Sequence, residues 1–419
     1  MTFIVRLFAL SFFHFFKPYT MRFLLVFLLL FTTILFSDCH LVRGFKYRKF
    51  DPKDATKFSA LPVNKAEKAI FHYKKTEKPL DEPWVKYLDT ALTNSKTYAF
   101  LVIRNDTLLY EKYLDDWKED QLFPSYSVAK SFTSALIGIA LDEGKIKSIN
   151  DPITNYLPEL LVSDERFKFV TIQHILDMRS GIKFNENYPN IFADVWKMGF
   201  SPNLMEYVKH LKIEKPAGGK FQYKSINSQL LGMVVERAVG KPLSAYLSEK
   251  IWQPLGMESN ALWHVDDKKT EEVRGFCCLN AIARDYAKFG SLYLHNGNWQ
   301  GQQIISESFV TASTSINTLV FNSFYKNQWW MNRRFKQFND SISAESERLK
   351  VNGSVLKSEN QQYVVVPAKM KAYIAKGILG QYIYVNPETN VVIVRLGKFW
   401  KFKGFAKAEG FIYDLGRKI

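Results

Sequence analysis

One apolar stretch, residues 123–145, constrains the fold of this chain more than any other. Its apolar side chains recur at the spacing of a buried helix. Pro124 and Ser125 mark the beginning of that helix, and Gly144 is a typical helix stop. The sequence therefore predicts one buried helix between these limits. The apolar residues at helical spacing are Val128, Phe132, Ala135, Leu136 and Ile139.

Ser127 and Lys130 lie three residues apart at the predicted start of this helix, so their side chains face the same side. A serine hydroxyl becomes a strong nucleophile when a base removes its proton, and a lysine can be that base only when it is neutral. Burial and the positive end of the helix dipole both lower a lysine pKa. The pattern therefore indicates covalent catalysis by Ser127 with Lys130 as its base, with a chance match of a short motif as the alternative.

The chain has 419 residues, which is enough for two or three domains or for one large domain with insertions. Its net charge is +16, and beyond residue 50 the basic residues are spread along the chain rather than grouped in blocks. No nucleic-acid-binding motif accompanies this charge. The composition therefore favours a basic surface that faces anionic lipid or polymer, and it argues against a nucleic acid partner.

The chain has three cysteines, Cys39, Cys277 and Cys278, which is too few for a disulfide framework. Adjacent cysteines rarely bridge each other, so we expect no disulfide here. Neither a Cys-x-x-Cys nor a His-Glu-x-x-His motif is present. The sequence therefore predicts no structural zinc, no metalloprotease site and no cofactor.

The N-terminal segment, residues 1–39, is apolar and basic. Within it, Phe23–Phe36 is a run of 14 residues without a charge, directly after Arg22. A run of this length suits the core of a signal peptide and is short for a transmembrane helix. We expect residues 1–39 to be a signal peptide or, alternatively, a membrane anchor. The protein would then be exported, either periplasmic or attached to the membrane and facing outward.

Residues 40–95 are polar and weakly periodic, which predicts a linker followed by an N-terminal cap. Two strand-like segments flank Asn105-Asp106, and this pattern predicts a β-hairpin. Strand-like segments return between residues 371 and 396, with helices between the two sets, so we expect an α+β domain over 96–419. Residues 332–362 are polar and poorly patterned, which suggests an insertion or a lid. Helical segments are predicted at 170–181, before Gly240, at 281–294 and at 405–415.

Three motifs occur in the order of the β-lactamase and penicillin-binding clan: Ser127-Val-Ala-Lys130, Tyr223 after Gly218-Gly219, and Ala375-Lys376-Gly377. The sequence between these motifs resembles one branch of the clan, the class C-like serine hydrolases and the 6-aminohexanoate-dimer hydrolases, over about residues 95–415. The segments that carry this resemblance are Thr171–Gly181, Tyr-x-Ser-x-Asn at 223–227, Gly256-Met-Glu and Ala283–Gly290.

The resemblance implies a β-lactamase/transpeptidase-like fold, in which an antiparallel sheet is flanked by helices and joined to a helical subdomain. It also implies an acyl-enzyme mechanism. Ser127 would attack a carbonyl, while Lys130 and Tyr223 would relay its proton and Tyr223 would protonate the leaving group. The oxyanion hole would consist of the backbone N–H groups of Ser127 and Ile378, and water would then hydrolyse the acyl-enzyme. For Tyr223, a packed aromatic beside a helix start is the alternative.

The chain departs from the family pattern at two motifs. Ser225 stands where class C enzymes have asparagine, although Asn227 is near, and the two would share a face with Tyr223 in an extended segment. The third motif of β-lactam enzymes is Lys-Thr-Gly, whereas this chain has Lys376 before Gly377 and Ala375 in the lysine position. Lys376 is either a displaced substitute for that lysine or a strand residue that faces water, and we favour the second.

Four further residues are candidates for contact with the substrate, two of them by analogy with the loop that covers the active site of the dimer hydrolases. Tyr188 and Asp194 lie in a long loop and would contact the substrate, with solvated loop residues as the alternative. Trp329 and Trp330 would line the pocket, although a place in the core of a strand suits them better.

Three functions fit these observations. We expect a serine hydrolase that cleaves esters or small amides. A penicillin-binding-type D,D-peptidase or β-lactamase is the second candidate, and the altered third motif argues against it. A catalytically inactive binding protein that keeps the fold is the third, and the intact Ser127, Lys130 and Tyr223 argue against it. No Gly-x-Ser-x-Gly motif supports an α/β-hydrolase.

Overall fold

The structure is a computed structural model that describes residues 51–315, 324–337, 355–358, 361–367, 371–398 and 405–419, except 69, 77–79, 94 and 332. The predicted signal peptide or anchor lies outside these residues. None of the described helices combines the length and the apolar character that a membrane span requires.

Seventeen strands are defined within the described residues. They are β1 (Ala60–Val63), β2 (Lys74–Lys75), β3 (Thr97–Arg104), β4 (Thr107–Tyr113), β5 (Phe123–Pro124), β6 (Ala261–His264), β7 (Leu279–Ala281), β8 (Asn298–Trp299), β9 (Gln302–Gln303), β10 (Tyr325–Lys326), β11 (Trp329–Met331), β12 (Arg333–Gln337), β13 (Val355–Ser358), β14 (Gln361–Pro367), β15 (Tyr373–Gly377), β16 (Gln381–Asn386) and β17 (Val391–Gly397).

Eight of these strands form the central sheet, in the order β10-β11-β15-β16-β17-β3-β4-β2. All neighbours are antiparallel except β2 and β4. The predicted hairpin is confirmed as β3 and β4, and both turn residues, Asn105 and Asp106, have positive φ. A second sheet, β1-β6-β7-β5, includes the strand that directly precedes the segment of Ser127. Strand β8 pairs with β9, and β12-β14-β13 forms a further sheet in and around the predicted insertion.

The helices of the described chain flank the central sheet and build the helical subdomain. They are α1 (Glu82–Thr93), α2 (Ala129–Asp142), α3 (Leu160–Ser163), α4 (Ile172–Leu176), α5 (Asp194–Phe200), α6 (Leu204–Val208), α7 (Ser225–Val239), α8 (Leu243–Leu247), α9 (Ala283–Leu294), α10 (Glu307–Thr314) and α11 (Phe405–Lys418). The expected α+β class and the β-lactamase/transpeptidase-like architecture are confirmed by this arrangement and by the structural comparisons given below.

The two faces of the sheet bury two separate cores, because successive strand residues point to opposite sides. On β3, Leu101 and Ile103 join the core formed with α2, α7 and α9. Phe100 and Val102 join the core beneath α1 and α11. Gly290 lets α9 approach the sheet, since a Cβ atom there would lie 2.6 Å from Val392.

One helix prediction needs correction, and one helix was not predicted. The helix expected over 170–181 has only five residues, Ile172–Leu176, because the chain turns at Met178, which has a φ of 56°. Helix α1 lies in the segment that we interpreted as a weakly periodic cap. It packs on the sheet through Leu88 and Leu92, which are spaced one helical turn apart.

Candidate active site

Ser127 lies in a single 3₁₀ turn, Tyr126–Val128, immediately before α2, as its position at the start of the predicted helix required. The residue before it, Tyr126, has a φ of 44°, in the left-handed region that residues other than glycine rarely adopt. The turn is held by two hydrogen bonds, because Ser125 N donates to the Leu279 carbonyl and Val128 N donates to the Ser125 carbonyl. Such local strain is typical of functional positions that the surrounding structure fixes.

Lys130 points from the first turn of α2 at the serine. Its Nζ lies 3.1 Å from Ser127 Oγ and donates a 2.6 Å hydrogen bond to the carbonyl of Phe276. Burial lowers the pKa of Lys130 to about 7, although the carboxylate of Glu186 raises it in part. The amine is therefore neutral in a large fraction of molecules near neutral pH. With one N–H held by Phe276, its lone pair can accept the proton of Ser127.

Tyr223 completes the group. Its ring centre lies 5.4 Å from Lys130 Nζ, and the ring stacks on Trp330 at 5.7 Å. Burial, reinforced by the charge of Glu186, raises the pKa of Tyr223 well above its usual value, and a hydrogen bond with Ser127 lowers it in part. Tyr223 is therefore a protonated phenol at neutral pH and can donate a proton. Tyr223 can therefore be both a packed aromatic residue beside a helix start and a proton donor.

Ile378 follows the end of β15 and lines the same cavity as Ser127. Gly377 is needed where β15 passes the nucleophile turn, because a Cβ atom there would lie 2.5 Å from the Ser125 carbonyl. Leu379, which comes next, has a φ of 64°. The two turns that would supply the oxyanion hole thus each contain a residue other than glycine in the left-handed region, and the two turns meet at one cavity.

The cavity next to Ser127 has a mostly apolar lining. Its wall contains one acidic side chain, one basic side chain and one histidine, and all three are engaged with other protein groups. Asp51 bonds to Lys398, and Arg274 donates to the carbonyls of Val265, Met198 and Ser201. His264 bonds to the Ala55 carbonyl, and burial lowers its pKa to about 4, so it is neutral. Apolar and aromatic side chains of the wall include Phe58, Pro124, Tyr188, Val195, Trp196, Phe200 and Phe276.

Ser225 does not extend toward a substrate in the way that its motif position suggested. It is the first residue of α7, and its N–H and hydroxyl both donate to the carboxylate of Glu186, at 2.7 and 2.5 Å. Tyr188 also donates to Glu186, at 3.3 Å. Sequence reasoning missed Glu186, because no local pattern connects it to a serine so distant in the chain.

Of the remaining candidate residues, one lines the cavity and two do not. Tyr188 lines the cavity. Asp194 instead accepts a hydrogen bond from Asn185 N at 2.8 Å and so fixes its own loop. Asn227 is fully buried in α7, where its amide donates to Met178 Sδ. The extended arrangement of 223–227 is therefore wrong, since the helix begins at Ser225 and turns Asn227 away from Tyr223.

Lys376 neither faces water nor reaches into the cavity lining. Its ammonium donates to Glu409 at 2.8 Å and lies 4.2 Å from the ring centre of Trp330, with only 14% of its side chain exposed. The favoured interpretation of Lys376 as a solvated strand lysine is therefore wrong. Trp329 is buried in the core as expected, whereas Trp330 lies between Tyr223 and Lys376.

Cys277 and Cys278 form a disulfide bond with each other, contrary to our expectation for adjacent cysteines. The backbone turns sharply at this point. Cys277 N donates to the Arg274 carbonyl, and Cys278 has a φ of 70°. Both cysteines line the cavity next to Ser127. Within the described residues, no group of three histidine, cysteine or acidic side chains could hold a metal ion.

Comparison with known proteins agrees with this geometry. The β-lactamase family model matches residues 88–412, well over half of the chain. The chain belongs to the β-lactamase family. This member resembles the 6-aminohexanoate-dimer hydrolase of Paenarthrobacter ureafaciens, with 27% identity over 334 residues, covering 74% of this chain and 75% of the relative. It also resembles esterase EstB of Burkholderia gladioli, with 30% identity over 152 residues, covering 33% of this chain and 38% of the esterase.

Solved structures of other family members share the fold. A Bacillus anthracis protein, whose name proposes a 6-aminohexanoate-dimer hydrolase, superposes with a TM-score of 0.69 at 22% identity, over 89% of this chain and 95% of the other. A class C β-lactamase from Rhodobacter sphaeroides superposes with a TM-score of 0.54 at 18% identity, over 81% of this chain and 99% of the other. The protein is thus a β-lactamase-family hydrolase of the serine type.

Proposed function

We propose that this protein hydrolyses uncharged esters or small amides through a covalent acyl-enzyme on Ser127. One observation carries the proposal. Lys130, whose pKa is lowered to about 7, lies 3.1 Å from the hydroxyl of Ser127 while its N–H is held by Phe276. A base with a pKa near the working pH, within hydrogen-bond reach of the proton that it removes, is the arrangement that general base catalysis requires.

The steps follow from the positions of these groups. Lys130 accepts the proton of Ser127 as the serine oxygen attacks the carbonyl carbon. The backbone N–H groups of Ser127 and Ile378 stabilise the oxyanion, since both residues border the cavity. Tyr223, which remains protonated, donates its proton to the leaving group and recovers one through Lys130. Water then attacks the acyl-enzyme by the same route in reverse.

The preference for uncharged substrates has its own support. The cavity wall is largely apolar, and Asp51 and Arg274 within it are engaged with other protein groups. Lys376, the nearest equivalent of the lysine that anchors a carboxylate in β-lactam enzymes, is paired with Glu409. Two relatives, named an esterase and a 6-aminohexanoate-dimer hydrolase, agree with ester or amide chemistry.

A substrate panel tests the proposal: p-nitrophenyl esters of increasing acyl length, a 6-aminohexanoate oligomer, a D-Ala-D-Ala peptide and a chromogenic cephalosporin. We expect turnover of the neutral esters that disappears in Ser127→Ala, together with an acyl adduct found by mass spectrometry on Ser127 alone. Ser131→Ala is the matched control, because Ser131 lies in the same helix and its hydroxyl binds the Gln328 carbonyl. Turnover that survives in Ser127→Ala would refute the proposal, and a preference for the peptide or the cephalosporin would favour the D,D-peptidase or β-lactamase alternative.

A further inference from the structure

The Cys277–Cys278 disulfide forms part of the wall of the cavity beside Ser127, yet no step of the proposed reaction uses it. It closes a small covalent ring across a single peptide bond, so it restricts the backbone of the very residues that it joins. Cys278 has a φ of 70°, which an unrestrained residue other than glycine rarely adopts. The disulfide is therefore coupled to the conformation of the turn that contains it.

That turn is connected to the catalytic helix by its carbonyl groups. Thr133 Oγ1 donates to the Gly275 carbonyl at 2.6 Å, and Lys130 Nζ donates to the Phe276 carbonyl at 2.6 Å. Both donors belong to α2. The two residues directly before the disulfide are thus bound to the helix that carries the base.

The carbonyl groups of Cys277 and Cys278 also accept side-chain hydrogen bonds, in this case from residues outside α2. Trp263 Nε1 donates to the Cys277 carbonyl at 2.9 Å, and Asn280 Nδ2 donates to the Cys278 carbonyl at 3.0 Å. Four successive carbonyl groups, from Gly275 to Cys278, therefore accept side-chain hydrogen bonds. A change in the backbone at the disulfide must be transmitted along this segment, because each of these groups has a fixed partner.

We propose that the Cys277–Cys278 disulfide is a positioning element that holds the Phe276 carbonyl against Lys130, and that its reduction by a dithiol lowers the activity. This inference rests on the proposed function. In the reduction, the bond between the two sulfur atoms breaks and two S–H groups form. The dithiol loses its two S–H groups and becomes a cyclic disulfide. Atoms and electrons therefore balance without any other reactant.

Reduction should change both the turn at Cys277 and Cys278 and the position of Lys130. The two thiol sulfur atoms repel each other at bonding distance, so their side chains separate and the turn shifts. Lys130 then loses its carbonyl partner, and its lone pair is no longer aimed at Ser127. A misplacement of about 1 Å in a catalytic group lowers rates by about 10²-fold, so we expect kcat/KM to fall about 10- to 100-fold.

The pH dependence distinguishes this role from a general effect on folding. The Phe276 carbonyl stabilises the charged form of Lys130, because it accepts a hydrogen bond from the ammonium. Loss of this partner lowers the pKa of Lys130. The acid limb of the kcat/KM profile should therefore move to lower pH as the rate falls. A merely structural disulfide would change the amount of folded enzyme and leave the position of the limb unchanged.

The experiment uses the full chain, purified without reductant. Alkylation before and after dithiothreitol, followed by mass spectrometry, reports whether Cys277 and Cys278 are bridged. Then kcat/KM for a p-nitrophenyl ester is measured across pH before and after reduction, with circular dichroism as the check on folding. We expect the fall and the shift in wild type and in Cys39→Ser. The double variant Cys277→Ser, Cys278→Ser should resemble the reduced enzyme and should not respond to dithiothreitol.

Three outcomes would overturn the inference: free thiols at both positions in the unreduced protein, an unchanged pH profile and rate after reduction, or a loss of activity that only follows the loss of folded protein. Failure of the proposed function is recognised separately. In that case the oxidised wild type itself shows neither turnover of the ester nor labelling of Ser127 by a fluorophosphonate probe.

Discussion

Lys376 and Glu409 form an ion pair of 2.8 Å between β15 and α11, and the side chains are only 14% and 5% exposed. The pair engages Lys376, the lysine nearest in sequence to the position from which β-lactam enzymes anchor a substrate carboxylate. The ammonium also lies over Trp330, which in turn stacks on Tyr223. A group that is engaged in this way supports the structure around the tyrosine rather than the recognition of a substrate.

We therefore predict that Lys376→Ala lowers stability more than it changes selectivity. Removal of one partner of a buried pair leaves the other charge uncompensated, at a cost of up to about 3–5 kcal/mol. The measurements are the free energy of unfolding in urea and the ratio of kcat/KM for a cephalosporin and a neutral ester. A clear cephalosporin preference in wild type that is lost in Lys376→Ala would show that Lys376 is a carboxylate anchor after all.

We predict that substitutions of the three catalytic candidates lower the activity to different extents. Ser127→Ala should abolish turnover and the covalent adduct, and Lys130→Ala should be nearly as severe, because the nucleophile then lacks its base. Tyr223→Phe keeps the ring that stacks on Trp330 and removes only the hydroxyl. Its kcat should fall by about 10²–10⁴-fold, the usual contribution of a positioned proton donor. Unchanged rates of Tyr223→Phe on every substrate would remove Tyr223 from the mechanism.

The pKa of Lys130 predicts the pH profile. Because the neutral amine is the active form, kcat/KM should rise with pH through an apparent pKa of about 7. Glu186 raises the pKa of Lys130, so Glu186→Gln should move this limb to lower pH. Glu206→Gln is the matched control, because Glu206 is an exposed residue that pairs with Lys209. A shift in the opposite direction, or an equal shift in the control, would contradict the assignment.

The oxyanion hole is tested at Ile378, whose proposed contribution is a backbone N–H. Ile378→Pro removes this donor, and loss of one such donor costs about 2.7–4 kcal/mol, or ~10²–10³ in kcat. Ile378→Val keeps the N–H and a similar side chain and should retain most of the activity. Circular dichroism checks that the proline has not unfolded the turn. A folded proline variant with wild-type kcat would show that the donor lies elsewhere.

We propose that the protein is exported, on the basis of the apolar run Phe23–Phe36 behind Arg22. Alkaline phosphatase, which is active only after export, should be active when it is fused after residue 95. The same fusion without residues 1–39 is the control and should be inactive. An inactive reporter in the first fusion, found as soluble cytosolic protein, would disprove export.

The elements predicted correctly from sequence are those whose signals are local. The α2 helix was evident from its apolar spacing and from Gly144, which has a φ of 68°. The β3–β4 hairpin was evident from Asn105-Asp106. The contact between Lys130 and Ser127 was evident because their spacing places both on one helix face. Helix α1 also carries such a signal in Leu88 and Leu92, but it was outweighed by the polar residues around it.

The contacts that were missed join segments far apart in the chain. Glu186 accepts a hydrogen bond from Ser225, which lies 39 residues further along the chain, and Lys376 donates to Glu409 on another secondary structure element. Neither partner is implied by spacing or composition, since tertiary packing alone brings them together. The disulfide at Cys277 was rejected on a general rule for adjacent cysteines, which the local turn overrides.

The order of strands in the central sheet has a consequence during protein synthesis. The hairpin β3–β4 leaves the ribosome early, but β17, which pairs with β3, is made only near the end of the described chain. At about 5–20 residues per second, the edge of β3 waits on the order of tens of seconds for its partner. During that interval a strand such as Ala99–Ile103, which is entirely apolar, can pair with another chain. Holdase chaperones should therefore bind the incomplete chain and leave once β17 has paired with β3.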